Sequence, residues 1–212
     1  MQEYKSDRAI RTRDALVSAA FDLMLERPLE DIPIDDLVAA AGVGKGSFFN
    51  HFGDKNGLKQ ALAMQVRSEI EEQVTKANSQ LTHPLERIAG GMREVTQYAL
   101  IHRKRTFAML RMTVGATSPD YSLNAGLRKD IEACVEAGFI AKGTEQSGLL
   151  YWLGLCTAIM TYVVESGCER DEAAGLLHQL LQMGLMGIGV GADTASDIAR
   201  RCAESMLAQE PG

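Results

Sequence analysis

Apolar residues recur at spacings of three and four along almost the whole chain, and no segment carries four or more apolar/polar alternations bounded by turn residues. The pattern predicts an all-α chain. A first helix is expected from about Arg8 to Arg27, with Leu16, Ala19, Ala20, Leu23 and Met24 on one face, ended by Pro28. A long helix should open at Asp54 as N-cap and carry the ridge Leu58, Leu62, Val66, Ile70, Val74, Ala77 and Leu81, with Pro84 closing the run. Three further helices follow from Leu85, Ile88, Met92, Val95 and Ala99, then Phe107, Leu110 and Val114, then Leu123, Leu127, Ile131, Val135 and Phe139. Gly115–Pro119 and Gly138–Gly143 separate them. Thr194, with Asp197 three residues on, reads as a capping box before Ile198, Ala199, Cys202 and Met206.

Gln146–Val164 and Ala173–Ala192 carry no charged residue and approach the length of a bilayer span. Their Gln, Thr, Ser and His content, the acids at their ends and the lack of a Lys/Arg cluster favour a helical hairpin with an acidic turn, Glu165–Glu172, and no membrane. Its apolar outer faces need a partner. Gly148, Gly154 and Ala158 on one helix, with Gly184 and Gly187 on the other, permit close approach and suit a four-helix interface between two copies.

Composition narrows the class without changing this picture. The 212 residues are 46% apolar and 24% charged, ordinary for globular domains, and the four cysteines show neither a CxxC pair nor a zinc-knuckle spacing. They read as reduced core thiols of a cytoplasmic protein, and the polar stretch from Met1 to Asp14 does not resemble a secretory signal. With 22 basic and 28 acidic residues the net charge is −6, which excludes a protein that coats nucleic acid through bulk charge. The scattered His51, His83, His102 and His178 offer no metal site and no nucleophile–base pair, so no enzyme, metal or cofactor is expected. GVGKGS is no phosphate loop, because Gly46 rather than Ser or Thr follows Lys45 and no strand precedes it.

Function concentrates between Pro33 and His51. Leu37, Ala40 and Ala41 lie on a short helix, Gly42 makes a turn, and a second short helix holds Phe48, Phe49 and Phe52, which together define a helix-turn-helix. In such a unit the second helix enters the major groove with its N-terminal side chains at base edges. Gly44 would cap it, leaving Lys45, Gly46, Ser47 and Asn50 toward double-stranded DNA. Lys45 suits guanine O6/N7, Asn50 an adenine edge, Ser47 a base or a phosphate, and Gly46 leaves room for close approach. Lys55 would hold a phosphate at the next helix start. The first 52 residues carry six basic groups against nine acids, so the footprint is narrow and binding should be strongly salt-sensitive.

LVSAAFDLMLE, IPIDDLVAAAGVGKGSFFNHF and GDKNGL, in register and without a gap, resemble the TetR family of one-component transcriptional regulators. Beyond Leu62 only the layout matches. The resemblance implies an N-terminal three-helix helix-turn-helix DNA-binding domain, expected over 1–57, and a C-terminal helical ligand-binding and dimerisation domain over 58–212. It also implies that Lys45, Gly46, Ser47, Asn50, His51 and Lys55 face DNA while Leu37, Val43, Phe48 and Phe52 are core. Phe49 stands where the family has a tyrosine reaching a phosphate, Pro33 where a threonine caps the second helix and Pro28 where a glycine is usual, so weaker binding is expected.

The expected function is a ligand-responsive regulator, a repressor that binds a palindromic operator as a homodimer and is released by a small hydrophobic or aromatic effector. Helix faces after residue 95 offer Tyr98, Phe107, Met112, Trp152, Cys156 and Met160 as effector contacts. The alternative is a structural or interaction dimer that has lost specific DNA binding.

Overall fold

The computed structural model describes residues 2–112 and 124–208, with side chains placed for 7–111 and 124–208. All regular structure among the described residues is helical: α1 Gln2–Leu23, α2 Ile34–Ala40, α3 Lys45–Phe52, α4 Lys55–Ala77, α5 Pro84–Ile101, α6 Arg103–Met112, α7 Ala125–Glu136, α8 Glu145–Ser166, α9 Arg170–Gly187 and α10 Ala192–Ala208, with one 3-10 turn at Leu29–Asp31. The expected Val114, Leu123 and the Gly115–Pro119 separator lie outside the described residues, as does the side chain of Met112.

The chain divides into two compact units. The first runs to Val66 and includes the last turns of α6 from Ala108; the second holds Arg67–Phe107 and the remainder. The division falls inside α4, nine residues beyond the 57/58 boundary expected from the sequence. In the first unit α1, α2 and α3 pack on one another around Leu16, Val17, Ala20, Ile32, Leu37 and Phe48, joined by Leu58 and Leu62 of α4, all of them buried. Each such Leu, Ile or Phe contributes about 1.5–3 kcal/mol on leaving water.

In the second unit α5 is the central helix, packed on α7, α8, α9 and α10. Leu85, Ile88, Ala89, Met92, Val95, Tyr98 and Ala99 are buried along it, and Trp152 of α8 donates its Nε1–H to the Ile88 carbonyl at 3.2 Å. Two ion pairs lie in this interior: Arg93 with Glu94 at 2.8 Å, and Arg87 of α5 with Asp130 of α7 at 2.6 Å. α8 is long and apolar enough to cross a membrane, yet its inner face, Leu149, Trp152, Ile159 and Val163, is buried within this unit.

Element ends differ from the sequence expectation for local reasons. α1 stops at Leu23 rather than Arg27, because Pro28 disfavours helical backbone at the residue before it. α4 stops at Ala77 rather than Leu81: Arg87 donates to the carbonyls of Asn78 and Leu81, while the Asn78 amide donates to the Arg87 carbonyl at 2.8 Å. Phe139 lies beyond α7, its ring 5.1 Å from that of His83, since the chain turns at Gly138. α9 closes at Gly187, and Ala192 belongs to α10. Thr194 is therefore inside α10 and is not its cap; the Gly191 carbonyl accepts from Ala195 N–H at 2.9 Å instead.

The glycines of α8 and α9 also divide differently. Gly184 and Gly187 serve the packing of α9 on α8 within one chain, where an added Cβ would meet Leu155 Cδ1 at 2.7 Å and the Tyr151 hydroxyl at 2.4 Å. Gly148 faces Ile131, whereas Gly154 and Ala158 remain open on the outer face of α8.

Candidate nucleic-acid interface

Two short helices carry the candidate surface. α2 ends where Gly42 adopts φ +65°, a left-handed conformation that L side chains resist, so glycine permits the tight return into α3. Val43 N–H closes that turn on the Val38 carbonyl at 3.0 Å. Gly44 stands at the N-cap position of α3, as expected, its carbonyl accepting from Ser47 N–H at 2.9 Å. Phe48 and Phe52 anchor α3 to the core with ring centroids 5.6 Å apart.

That anchoring decides which residues face outward. Lys45, Gly46, Phe49 and Asn50 are exposed, Ser47 and His51 are half-buried, and Lys55 is half-buried at the first position of α4. Leu37, Phe48 and Phe52 are core; Val43 is only half-buried. Phe49, absent from the expected contact set, lies on the outward arc at 45% exposure, edge-on to Phe48 with centroids 5.5 Å apart. Its helical position between Gly46 and Asn50 was the available signal.

The turn from α3 to α4 is the tightest point of this unit. Asp54 caps α4 as the sequence predicts, its Oδ1 accepting from Gly57 N–H at 2.8 Å. A Cβ at Gly57 would stand 1.9 Å from the Phe52 carbonyl oxygen, so only glycine fits without moving backbone.

Four basic side chains here have acidic or carbonyl partners. Lys45 Nζ lies 2.8 Å from Asp35, Lys59 Nζ lies 3.1 Å from Glu30, Lys55 donates to the Glu30 carbonyl at 2.9 Å, and Arg27 pairs with Asp36. A hydrogen bond from its own backbone, aided by the Lys59 ammonium, holds the Glu30 carboxyl below its ordinary range.

The expected effector contacts are distributed over the second unit. Trp152, Cys156 and Met160 are buried on the inner side of α8. Tyr98 instead joins a polar group that the sequence reading missed: its hydroxyl donates to Glu69 at 2.6 Å, Arg105 bonds the other oxygen of Glu69 at 3.0 Å, and the His102 ring lies 4.6 Å from that of Tyr98. Burial and the bond to Glu69 push the Tyr98 hydroxyl up, while burial and then Arg105 push His102 down. Phe107 is 37% exposed. Arg103 donates to the carbonyls of Val163 and Cys168 at the end of α8. Burial pushes the thiols of Cys134 and Cys156 up to about 12, unfavourable for a thiolate sensor.

Residues 16–62 match the model of the bacterial regulatory proteins of the tetR family. The transcriptional regulator AlkX of Mycobacterium tuberculosis is 32% identical over 62 residues, covering 29% of this chain and 29% of AlkX. HbdR of Aromatoleum sp. strain CIB, also an HTH-type transcriptional regulator, is 25% identical over 138 residues, covering 60% of this chain and 59% of HbdR. The chain thus spans less than two thirds of the length of these relatives. Among solved structures, RolR in complex with resorcinol superposes with a TM-score of 0.63 at 21% identity, covering 92% of this chain and 96% of RolR. A TetR-family transcriptional regulator from Pectobacterium atrosepticum gives 0.60 at 23% identity over 85% of this chain and 92% of that one. At such identities the likeness is one of fold.

Proposed function

We propose that this chain, whose residues 16–62 match the model of the tetR family of bacterial regulators, is a ligand-responsive transcriptional repressor that binds a palindromic operator as a homodimer. The observation that carries this reading is the outward surface of α3, where Lys45, Gly46 and Asn50 are presented to solvent from a helix pinned by Phe48 and Phe52. Lys45 and Asn50 read base edges, Ser47 and His51 flank them, and Lys55 takes a phosphate. The protein has no catalytic role in this reading, and the domains divide function as 1–57 for DNA and 58–212 for ligand and dimerisation.

Dimerisation uses the outer side of α8 and α9. Leu150, Tyr151, Tyr162, Met183 and Met186 are exposed there around the open Gly154 and Ala158. A charge-poor apolar surface of this kind is expected to be covered by a second copy. The effector is a small aromatic or hydrophobic compound: the apolar inner side of α8, the polar group around Tyr98 and the resorcinol held by the structural relative RolR support that class. The effector acts by population shift, favouring a spacing of the two recognition helices that no longer fits two half-sites, with α4 as the lever.

The test is to retain genomic fragments on the purified protein at low and moderate salt and to sequence them. The proposal predicts a palindrome with half-sites about 10 base pairs apart or a multiple of that. Random fragments at both salts would leave the structural dimer as the better reading.

A further inference from the structure

The pairing of Lys45 with Asp35 bears on how α3 discriminates among sequences. Lys45 is the first residue of α3 and the only lysine or arginine on that helix, so any specific cationic base contact from α3 comes from it. Its ammonium lies 2.8 Å from Asp35 Oδ1, in the first turn of α2, with the lysine 54% and the aspartate 72% exposed. A pair this open adds little to folding. Its effect falls on the lysine itself, whose flexible stem would otherwise let the ammonium reach phosphates on either side of the groove.

We propose that Asp35 is a positioning residue for sequence readout: it holds the Lys45 ammonium at the N-terminal end of α3, toward a base edge, and denies it to the phosphate backbone. This rests on α3 being the DNA-reading helix. An ammonium has three donors, so one bond to Asp35 leaves two for guanine O6/N7. A phosphate approaching the same ammonium meets the carboxylate and is repelled. The wild type therefore gives up general affinity and gains a larger ratio of specific to non-specific binding.

The test uses the full chain as wild type, Asp35→Asn, Lys45→Ala, the double variant, and Asp22→Asn as a control that removes an equal charge from exposed α1. Each is titrated with the fragment retained by the wild type and with a random duplex of equal length, over a series of NaCl concentrations, after circular dichroism has shown native helicity. Asp35→Asn is expected to bind the random duplex about tenfold more tightly, with a log–log salt slope steeper by about one, the signature of one added phosphate contact. The selected fragment gains less, so the specificity ratio falls. Asp22→Asn leaves that ratio unchanged, and Asp35→Asn has no effect once Lys45 is alanine. An unchanged ratio in Asp35→Asn, an equal effect of Asp22→Asn, or an effect that survives in the Lys45→Ala background would overturn the role of Asp35. A wild type with no preferred fragment would remove the regulator reading itself, a result separable from an intact preference that Asp35→Asn leaves untouched.

Discussion

The N-terminal unit and the core around α5 use charge in opposite ways. In the N-terminal unit the ion pairs Lys45–Asp35 and Lys59–Glu30 are open to water and add little to folding. Around α5 in the second unit two pairs are enclosed, since the side chains of Arg93 and Glu94 are only 13% and 11% exposed and Asp130, at 11%, ties α7 to α5 through Arg87, whereas Arg200 and Arg201 of α10 pair with Asp197 and Glu204 in the open. The open pairs lie in the unit proposed to meet DNA, whereas the Arg87–Asp130 pair binds two helices to each other. A charge removed from the open pairs of α2 and α3 should change binding and leave stability; one removed from the enclosed pairs around α5 should do the reverse.

The largest expected effect breaks the enclosed set. Asp130→Ala removes the carboxylate partner of Arg87, which keeps its bonds to the Asn78 and Leu81 carbonyls, and about 1.5–3 kcal/mol of stability is lost, read by urea unfolding followed by circular dichroism. Next comes Gly57→Ala, which drives a Cβ into the Phe52 carbonyl. It costs about 1–3 kcal/mol in the first unit and displaces α3, so DNA binding fails while the second unit keeps its helicity. Comparable in size but different in kind, Lys45→Ala weakens binding to a selected site by about 1–3 kcal/mol and relaxes choice at one base pair. Its melting temperature stays within a degree or two of wild type, as measured by calorimetry.

Two smaller effects sharpen the contrast. All four cysteines lie in the second unit and are buried, with Cys134 and Cys156 pushed up to about 12, so iodoacetamide at neutral pH should label them only as that unit opens. Labelling thus separates loss of the second unit from loss of the first. Glu30 gives the least effect. Its folded carboxyl is held below the ordinary 4.5, so its contribution is present above that value and disappears as pH falls through the lower folded one. Glu30→Gln should lower the first unit's stability slightly at neutral pH and converge on wild type below the folded value, which flattens the acid limb of its melting curve.

Legibility in the sequence also follows the two units. The glycine turn at Gly42, the aspartate cap at Asp54 and the spacing of Phe48 and Phe52 are local signals, each visible within a few residues. They located α2, α3 and the start of α4. The bonded group of Glu69, Tyr98 and Arg105 joins residues 29 and 36 positions apart, and no periodicity marks such a meeting. Thr194 misled because a capping pattern competes with the true N-terminus of α10 a few residues earlier, where Gly191 has only its carbonyl to offer. The pairing of basic residues with Asp35, Asp36 and Glu30 was likewise hidden, since a count of charges does not say which ones touch.

The most direct test of the central claim, that α3 reads DNA sequence, compares wild type, Lys45→Ala and Asn50→Ala on the fragment the wild type selects and on a scrambled duplex at one fixed salt. The account predicts a clear wild-type preference for the selected fragment that both substitutions reduce at least fivefold with folding intact. Equal affinity of all three proteins for both duplexes would contradict it.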